Sequence, residues 1–156
     1  MNILKLAASI LVCQAAGFIG SFFTRPAIPG WYAGLEKPSF NPPNGVFAPV
    51  WTALYLLMGI ALFLVWKIGF GDERVRKGMI LFGIQLVLNT GWSIAFFGFE
   101  SPLAGLVVIV VLWAAILATM LDFFRISRVA GALLVPYIAW VSYAAVLNLF
   151  LYTLNR

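Results

Sequence analysis

The segment from Pro102 to Phe124 reads PLAGLVVIVVLWAAILATMLDFF, and its only charged side chain is Asp122, close to its end. About 20 apolar residues, each rising 1.5 Å along a helix, cross the roughly 30 Å hydrocarbon core of a bilayer. Four other segments share this length and character, at residues 6–23, 46–67, 79–97 and 129–151. The sequence therefore predicts an all-α integral membrane protein, a five-transmembrane-helix bundle forming a single domain over residues 1–156.

The composition supports this prediction. Hydrophobic residues make up 63% of the chain and charged residues only 10%, whereas a soluble domain carries roughly 25% charged residues. The net charge of +5 comes from basic residues that form no long run, so we expect no nucleic-acid partner. Residues 6–23 could instead be a signal peptide, because Lys5 precedes them and Ala15-Ala16 are small. We favour a retained helix, since the apolar character continues to Phe23 without a clean cleavage region.

The basic residues also predict an orientation. Five spans place the two termini on opposite sides of the membrane. One side would hold seven basic residues: Lys5, Lys67, Arg74, Arg76, Lys77, Arg125 and Arg128. The other would hold three: Arg25, Lys37 and Arg156. The positive-inside rule then puts the N-terminus in the cytoplasm and the proline-rich loop 24–45 on the opposite side. The lack of an appended targeting tail favours a bacterial membrane.

Side chains for most kinds of catalysis are scarce. The chain has no histidine, and its five acidic residues all lie in or near predicted loops. No spacing typical of a zinc or calcium site occurs, and no glycine-rich phosphate loop. The single cysteine, Cys13, has no disulfide partner within the chain. We therefore expect no metal, no required cofactor and no hydrolytic or nucleotide chemistry.

Polar and aromatic residues repeat at helical spacing on three spans. These faces are Gln85, Asn89, Trp92, Ser93 and Phe96; Trp51, Tyr55, Met58 and Leu62; and Pro136, Trp140, Ala144 and Asn148. Polar side chains in a bilayer turn to the bundle interior, where hydrogen bonds can be made. Convergence of the faces would enclose an apolar pocket for a large, planar ligand. The alternative is that the amides only join helices and the tryptophans only fill space.

The loop before the second span carries a recognisable motif, WYAGLEKPSFNPP at 31–43. Further motifs are PVWTALY at 49–55, QLVLN at 85–89, VPYIAW at 135–140 and Leu147-Asn148. Together they closely resemble the TspO/MBR family of translocator and tryptophan-rich sensory proteins, also called peripheral benzodiazepine receptors. One departure is Phe40, which stands where the family usually has tryptophan.

The resemblance implies a five-helix bundle, commonly a homodimer, that binds porphyrins such as protoporphyrin IX and haem in a pocket capped by loop 24–45. It also implies possible binding of sterols and of benzodiazepine-type ligands. The residues that match the family's ligand-contacting positions are Tyr32, Pro42, Trp51, Tyr55, Asn89, Trp140 and Ala144. Some bacterial members are linked to light-dependent porphyrin breakdown, for which the matching tryptophans are Trp51 and Trp140.

Two weaker patterns complete the analysis. Leu149, Tyr152 and Arg156 fit a proposed sterol-contact pattern that is frequent by chance. Gly91 and Ala95 are small residues four apart and could support a dimer contact. Three functions stay open: a receptor or transporter for porphyrin-like molecules, a light-dependent porphyrin-degrading enzyme, and a regulatory membrane scaffold. Because no coupling-ion site or nucleotide motif is present, any transport would be passive or driven by partners.

Overall fold

The computed structural model describes residues 2–156, which form helices joined by short connections, with no β-strand among them. The helices are α1 (Ile3–Ala27), α2 (Asn44–Trp66), α3 (Glu73–Ser93), α4 (Pro102–Ile126), α5 (Arg128–Leu133) and α6 (Val135–Leu154). A single 3₁₀ turn, Tyr32–Gly34, lies in the loop between α1 and α2, and a π-helical turn, Ile94–Gly98, continues α3.

Five of the helical stretches in the described chain are long and apolar enough to cross a membrane. They are α1, α2, α3 with its π turn, α4, and α5 together with α6. The predicted all-α, five-helix membrane fold is confirmed, and the protein is an integral, multi-pass membrane protein.

The helix ends differ from the predicted span limits because apolar composition marks only the part of a helix within the bilayer. The third helix starts at Glu73 rather than at residue 79, since the carboxylate of Asp72 caps it by accepting a hydrogen bond from the Arg74 backbone amide at 2.9 Å. The first helix continues through Pro26 to Ala27. A proline in the last turn removes only one backbone bond, so the loop begins at Ile28 rather than at residue 24.

The fifth span is not one continuous helix. It breaks at Leu134, between α5 and α6, because Pro136 has no backbone N–H to donate to the carbonyl four residues earlier. Pro136 lies in the first turn of α6 and is exposed. Its predicted place on the inward face with Trp140 is therefore wrong, since Pro136 does not line the space between the helices as Trp140 does.

The hydrophobic core fills the end of the bundle away from the α1–α2 loop. The fully buried side chains there include Met58, Val65, Val75, Ile116 and Phe123. Glycine allows a close helix crossing here: a Cβ on Gly59 would lie 2.7 Å from Ile10 Cα, so α1 and α2 touch backbone to backbone. At the other end of the bundle, where α2 begins and α3 ends, the helices leave space between them.

The small-residue pair proposed for a dimer contact lies partly inside the protomer. Ala95 is only 6% exposed, whereas Gly91 has open space around it. The pair therefore does not form a continuous exposed face. The reason is that Ala95 belongs to the π turn, whose wider winding rotates it away from the Gly91 side of α3.

Candidate functional site

A cavity of about 510 Å³ lies in the half of the bundle next to the α1–α2 loop. Small-molecule sites typically measure about 300–1,000 Å³, so this one is large enough for a ligand. Its wall is formed by α1, α2, the end of α3, α4 and α6, with the loop above it. The lining residues used below are Gln14, Gly17, Thr24, Arg25, Ile28, Tyr32, Asn41, Asn44, Phe47, Trp51, Tyr55, Asn89, Trp92, Phe96, Phe97, Trp140, Ala144 and Asn148.

Aromatic rings make up much of the wall. Trp51 stacks on Tyr55 with ring centroids 5.6 Å apart, and the two rings are one helical turn apart on α2. Phe47 meets Trp140 edge to face at 6.1 Å, which joins the α2 and α6 walls. These contacts hold both indoles in place within the cavity wall.

The π turn brings a further aromatic pair into the wall. Phe96 and Phe97 are consecutive in the chain, yet both line the cavity. Trp92 stacks on Phe96 with centroids 5.2 Å apart. A π turn advances each residue by a smaller angle than an α-helix does, so neighbouring side chains share a face more readily.

The floor of the cavity is a chain of buried hydrogen bonds. The Tyr55 hydroxyl donates to Asn89 Oδ1, Asn89 Nδ2 donates to the Tyr137 hydroxyl at 2.8 Å, and that hydroxyl donates to Gln85 Oε1 at 2.7 Å. These three hydrogen bonds join α2, α3 and α6. The reading of the amides as helix-joining groups is therefore correct for Gln85, whereas Asn89 both joins helices and lines the cavity.

A second amide supports the wall beside α4. Asn148 accepts a hydrogen bond from Trp92 Nε1 at 2.9 Å and donates to the Pro102 carbonyl at 2.8 Å. A Cβ on Gly105 would lie 2.9 Å from Asn148 Oδ1, so only glycine leaves room for this amide. The indole of Trp92 is thereby held in one orientation beneath the loop.

Two polar atoms at the cavity are buried without a partner among the described residues. They are the indole Nε1 of Trp140 and the side-chain Oδ1 of Asn41. A buried donor without an acceptor is unfavourable by about 1–3 kcal/mol. Both atoms are covered by neighbouring protein atoms, so a ligand can reach them only if a side chain of the wall or loop moves aside.

The α1–α2 loop is tied down over the cavity. Asn155, just after α6, forms two hydrogen bonds with the backbone of Glu36: its Oδ1 accepts from the amide at 2.9 Å and its Nδ2 donates to the carbonyl at 2.8 Å. The Tyr143 hydroxyl donates to the Phe40 carbonyl. The loop is thus held to α6 at two points.

Tyr32 anchors the underside of the loop. It is 5% exposed, and its hydroxyl accepts a hydrogen bond from Asn41 Nδ2 at 3.3 Å. Burial raises the pKa of the Tyr32 phenol above its ordinary value, and the bond from Asn41 lowers it to a lesser extent. Lys37 Nζ donates to the Tyr32 carbonyl at 2.8 Å and lies 4.7 Å from the centre of its ring.

The structure brings together six of the seven residues expected to contact a ligand: Tyr32, Trp51, Tyr55, Asn89, Trp140 and Ala144. Pro42 is the exception and does not line the cavity, because its neighbour Asn41 turns inward in its place. None of the three residues of the sterol-contact pattern, Leu149, Tyr152 and Arg156, lines the cavity. Leu149 and Arg156 are exposed.

Several lining residues were absent from the predicted site. Gln14, Gly17 and Arg25 reach the cavity from α1, and Asn41 and Phe97 reach it from the loop and the π turn. Gln14 could have been found from its sequence context, since an amide within an apolar span marks an inward face. Among residues 2–156, no three cysteine, aspartate or glutamate side chains come together as a metal site would need.

Comparisons with known proteins agree with this architecture. The sequence model of the TspO/MBR family matches residues 9–153. The chain is 52% identical over 154 residues to the tryptophan-rich protein TspO of Chlorobaculum tepidum, covering 99% of this chain and 98% of that relative. It is 51% identical to the protein of the same name from Archaeoglobus fulgidus, covering 99% of each. It is 39% identical over 132 residues to the Translocator protein of Homo sapiens, covering 84% of this chain and 78% of the human protein. With its five membrane-spanning helices and an aromatic cavity beneath the first loop, the chain belongs to the TspO/MBR family.

Proposed function

We propose that this protein is a membrane receptor, or a transporter-type protein, for porphyrins such as protoporphyrin IX and haem, and that the ligand occupies the cavity beneath the α1–α2 loop. The observation that carries the proposal is the wall itself. Trp51 and Trp140 come from separate helices and line one cavity of about 510 Å³. A flat, apolar ring gains most from such a wall because it stacks on indole faces and needs few hydrogen bonds.

The polar groups of the cavity support the same ligand class. Asn89 is already engaged at the floor by hydrogen bonds with Tyr55 and Tyr137. A ligand with a large apolar body and few hydrogen-bonding groups matches a floor whose amide is already paired. Sterols and benzodiazepine-type ligands share that general chemistry and are expected to compete for the same space.

The test is quenching of tryptophan fluorescence by protoporphyrin IX added to the purified protein in detergent. We expect saturable quenching in the wild type and at least tenfold weaker binding when Trp51 and Trp140 are both changed to alanine, because removing an aromatic ring that stacks on a flat ligand loses about 1–3 kcal/mol. Trp113→Ala is the matched control, since Trp113 lies in a shallow groove on the outer face with Ser142. Unchanged affinity in the double variant would reject the site.

A second function, light-dependent porphyrin degradation, is favoured by the presence of two indoles at the same cavity. An indole in contact with a photoexcited porphyrin can donate an electron to it, and dioxygen would serve as the oxidant for ring opening. The test follows the porphyrin Soret band under illumination in air. Decay that is faster with the wild type than with the Trp51→Phe, Trp140→Phe variant would favour degradation, and equal decay would leave binding alone.

The proposed orientation places the N-terminus in the cytoplasm of a bacterial cell and the α1–α2 loop on the other side. Its support is the excess of basic residues at the end of the bundle opposite the loop. A Cys13→Ser background would allow single cysteines to be introduced as Glu36→Cys or Glu73→Cys. A membrane-impermeant maleimide added to intact cells should label the first and spare the second, and the reverse result would overturn the orientation.

A further inference from the structure

The cavity carries charge of one sign only. Of the described residues that line it, Arg25 is the only one charged at neutral pH, and no aspartate or glutamate is among them. The other polar groups at the mouth are neutral amides and hydroxyls, including Thr24, Asn41 and Asn44. The electrostatic potential at the mouth therefore favours an anionic group on whatever enters.

Arg25 is free to make such a contact. It lies in the last turn of α1, is exposed, and neither a carboxylate nor a hydrogen-bond acceptor pairs with its guanidinium anywhere in residues 2–156. Lys37, which lies in the loop, is occupied, since its Nζ donates to the carbonyls of Tyr32 at 2.8 Å and Leu35 at 3.1 Å. Of the three basic residues on this side, Arg25, Lys37 and Arg156, only Arg25 lines the cavity.

The position of Arg25 relative to the aromatic wall matters as much as its charge. Ile28 and Tyr32 follow it in the chain and also line the cavity, so Arg25 stands where the loop meets the mouth. The floor formed by Tyr55 and Asn89 lies further along the bundle axis. On the facing side, α2 begins at Asn44 with no capping side chain, which leaves its first backbone amides as additional partial positive charge.

A structural role for Arg25 is the alternative. A basic side chain in the last turn of a helix interacts favourably with the partial negative charge of the helix end, typically by 0.3–1 kcal/mol. That effect would stabilise α1 whatever the ligand. A role in ligand recognition differs because it depends on the charge of the ligand.

We infer that the ligand of this cavity is an amphipathic acid, and that Arg25 is a positioning residue that pairs with its carboxylate at the mouth while the apolar ring lies against the indoles. The inference rests on the proposed function. The guanidinium presents a planar pair of donors that matches a carboxylate. This pairing sets the direction in which the ligand enters, with the ring first and the acid last.

The experiment compares protoporphyrin IX with its dimethyl ester, which has the same ring and no carboxylate. Affinities are measured by tryptophan quenching for the wild type, Arg25→Gln, Arg25→Lys and Arg128→Gln. Arg128 is the matched control, because it is a basic, exposed residue at the opposite end of the bundle and does not line the cavity.

We expect Arg25→Gln to bind the acid roughly fivefold more weakly, the upper range for a solvent-accessible ion pair, and to bind the ester as the wild type does. Arg25→Lys should recover part of the loss, and Arg128→Gln should change neither affinity. Raising the ionic strength should weaken acid binding in the wild type more than in Arg25→Gln, because salt screens an exposed pair.

Two other outcomes would overturn the inference while leaving the proposed function in place. One is an equal loss of acid and ester binding in Arg25→Gln, which would show a structural role. The other is unchanged binding of the acid in that variant. Failure of the wild type to bind either acid or ester would instead reject the porphyrin site itself, and the role of Arg25 with it.

Discussion

Gly17 is the residue through which α1 shapes the cavity. It lines the space and faces the ring of Tyr55, and a Cβ added at Gly17 would lie 2.4 Å from Tyr55 Cε2 and 2.7 Å from Cδ2. Carbon atoms in contact lie about 3.5–4.0 Å apart. In a Gly17→Ala variant the ring must therefore move by about 1 Å or more. Because the aromatic ring is rigid, its hydroxyl moves with it.

The displacement has two unfavourable consequences. Forcing a methyl group into a packed interior typically destabilises by about 1–3 kcal/mol. The moved hydroxyl also leaves Asn89 Oδ1, so a buried acceptor loses its partner, with a further loss of about 1–3 kcal/mol. Alanine is favoured over glycine in a helix by about 1 kcal/mol, which offsets part of this. We expect a net loss of about 3 kcal/mol in the free energy of unfolding, a sum dominated by the first two effects.

The assay is unfolding in detergent followed by tryptophan fluorescence, together with porphyrin quenching of the folded protein. Gly83→Ala is the matched control, since a Cβ at Gly83 meets nothing within 4 Å. We expect Gly83→Ala to be as stable as the wild type or slightly more so, and to bind porphyrin normally. Gly17→Ala should be less stable and bind at least tenfold more weakly, because the displaced ring disrupts both wall and floor.

The reasoning would be refuted if Gly17→Ala had the same free energy of unfolding as Gly83→Ala and bound porphyrin with the affinity of the wild type. Such a result would mean that α1 can withdraw from α2 at no measurable cost. The cavity wall formed by α1 would then be able to move, and the volume of the cavity would not restrict the size of the ligand.

Three further predictions concern the loop and the walls. Asn155→Ala removes both hydrogen bonds to the Glu36 backbone, so we expect faster porphyrin release in stopped-flow mixing, and an unchanged rate would show that the loop does not retain the ligand. Asn148→Leu leaves the indole N–H of Trp92 without its acceptor and should reduce the free energy of unfolding by about 1–3 kcal/mol, unlike the exposed substitution Leu149→Ala. Since burial raises the pKa of Tyr32, its contribution to stability is complete below about pH 10 and is lost as the pH rises through the folded-state pKa. Tyr32→Phe should therefore lose less stability than the wild type above pH 10, and parallel alkaline unfolding curves would contradict this.

The number of membrane helices and the family were determined by sequence alone. Length and apolar character are properties of each segment by itself, so five segments such as 102–124 predict five spans before any contact is known. The face of α3 that carries Gln85 and Asn89 could also be predicted, because polar groups in lipid must turn inward and the helical repeat then orders their neighbours.

The contribution of α1 to the site could not be predicted in the same way. In a bilayer the outer surface of the bundle is as apolar as its core, so hydrophobic periodicity does not show which face of a helix is buried. Phe18 is 61% exposed and Cys13 is fully buried, although both are apolar members of one helix. Only the packing of α1 on α2 shows that Gly17 meets Tyr55.

The tertiary structure decided three things about the cavity: that the π turn directs both Phe96 and Phe97 into it, that Asn41 rather than Pro42 reaches it from the loop, and that Arg25 is its only charged residue in the described chain. Each depends on the rotation of one element against another. That rotation is set by contacts between residues distant in sequence, such as Gly59 with Ile10, and no local pattern encodes it. The sequence by itself determined which segments enter the membrane, because that depends only on the free energy of transferring each segment from water into lipid.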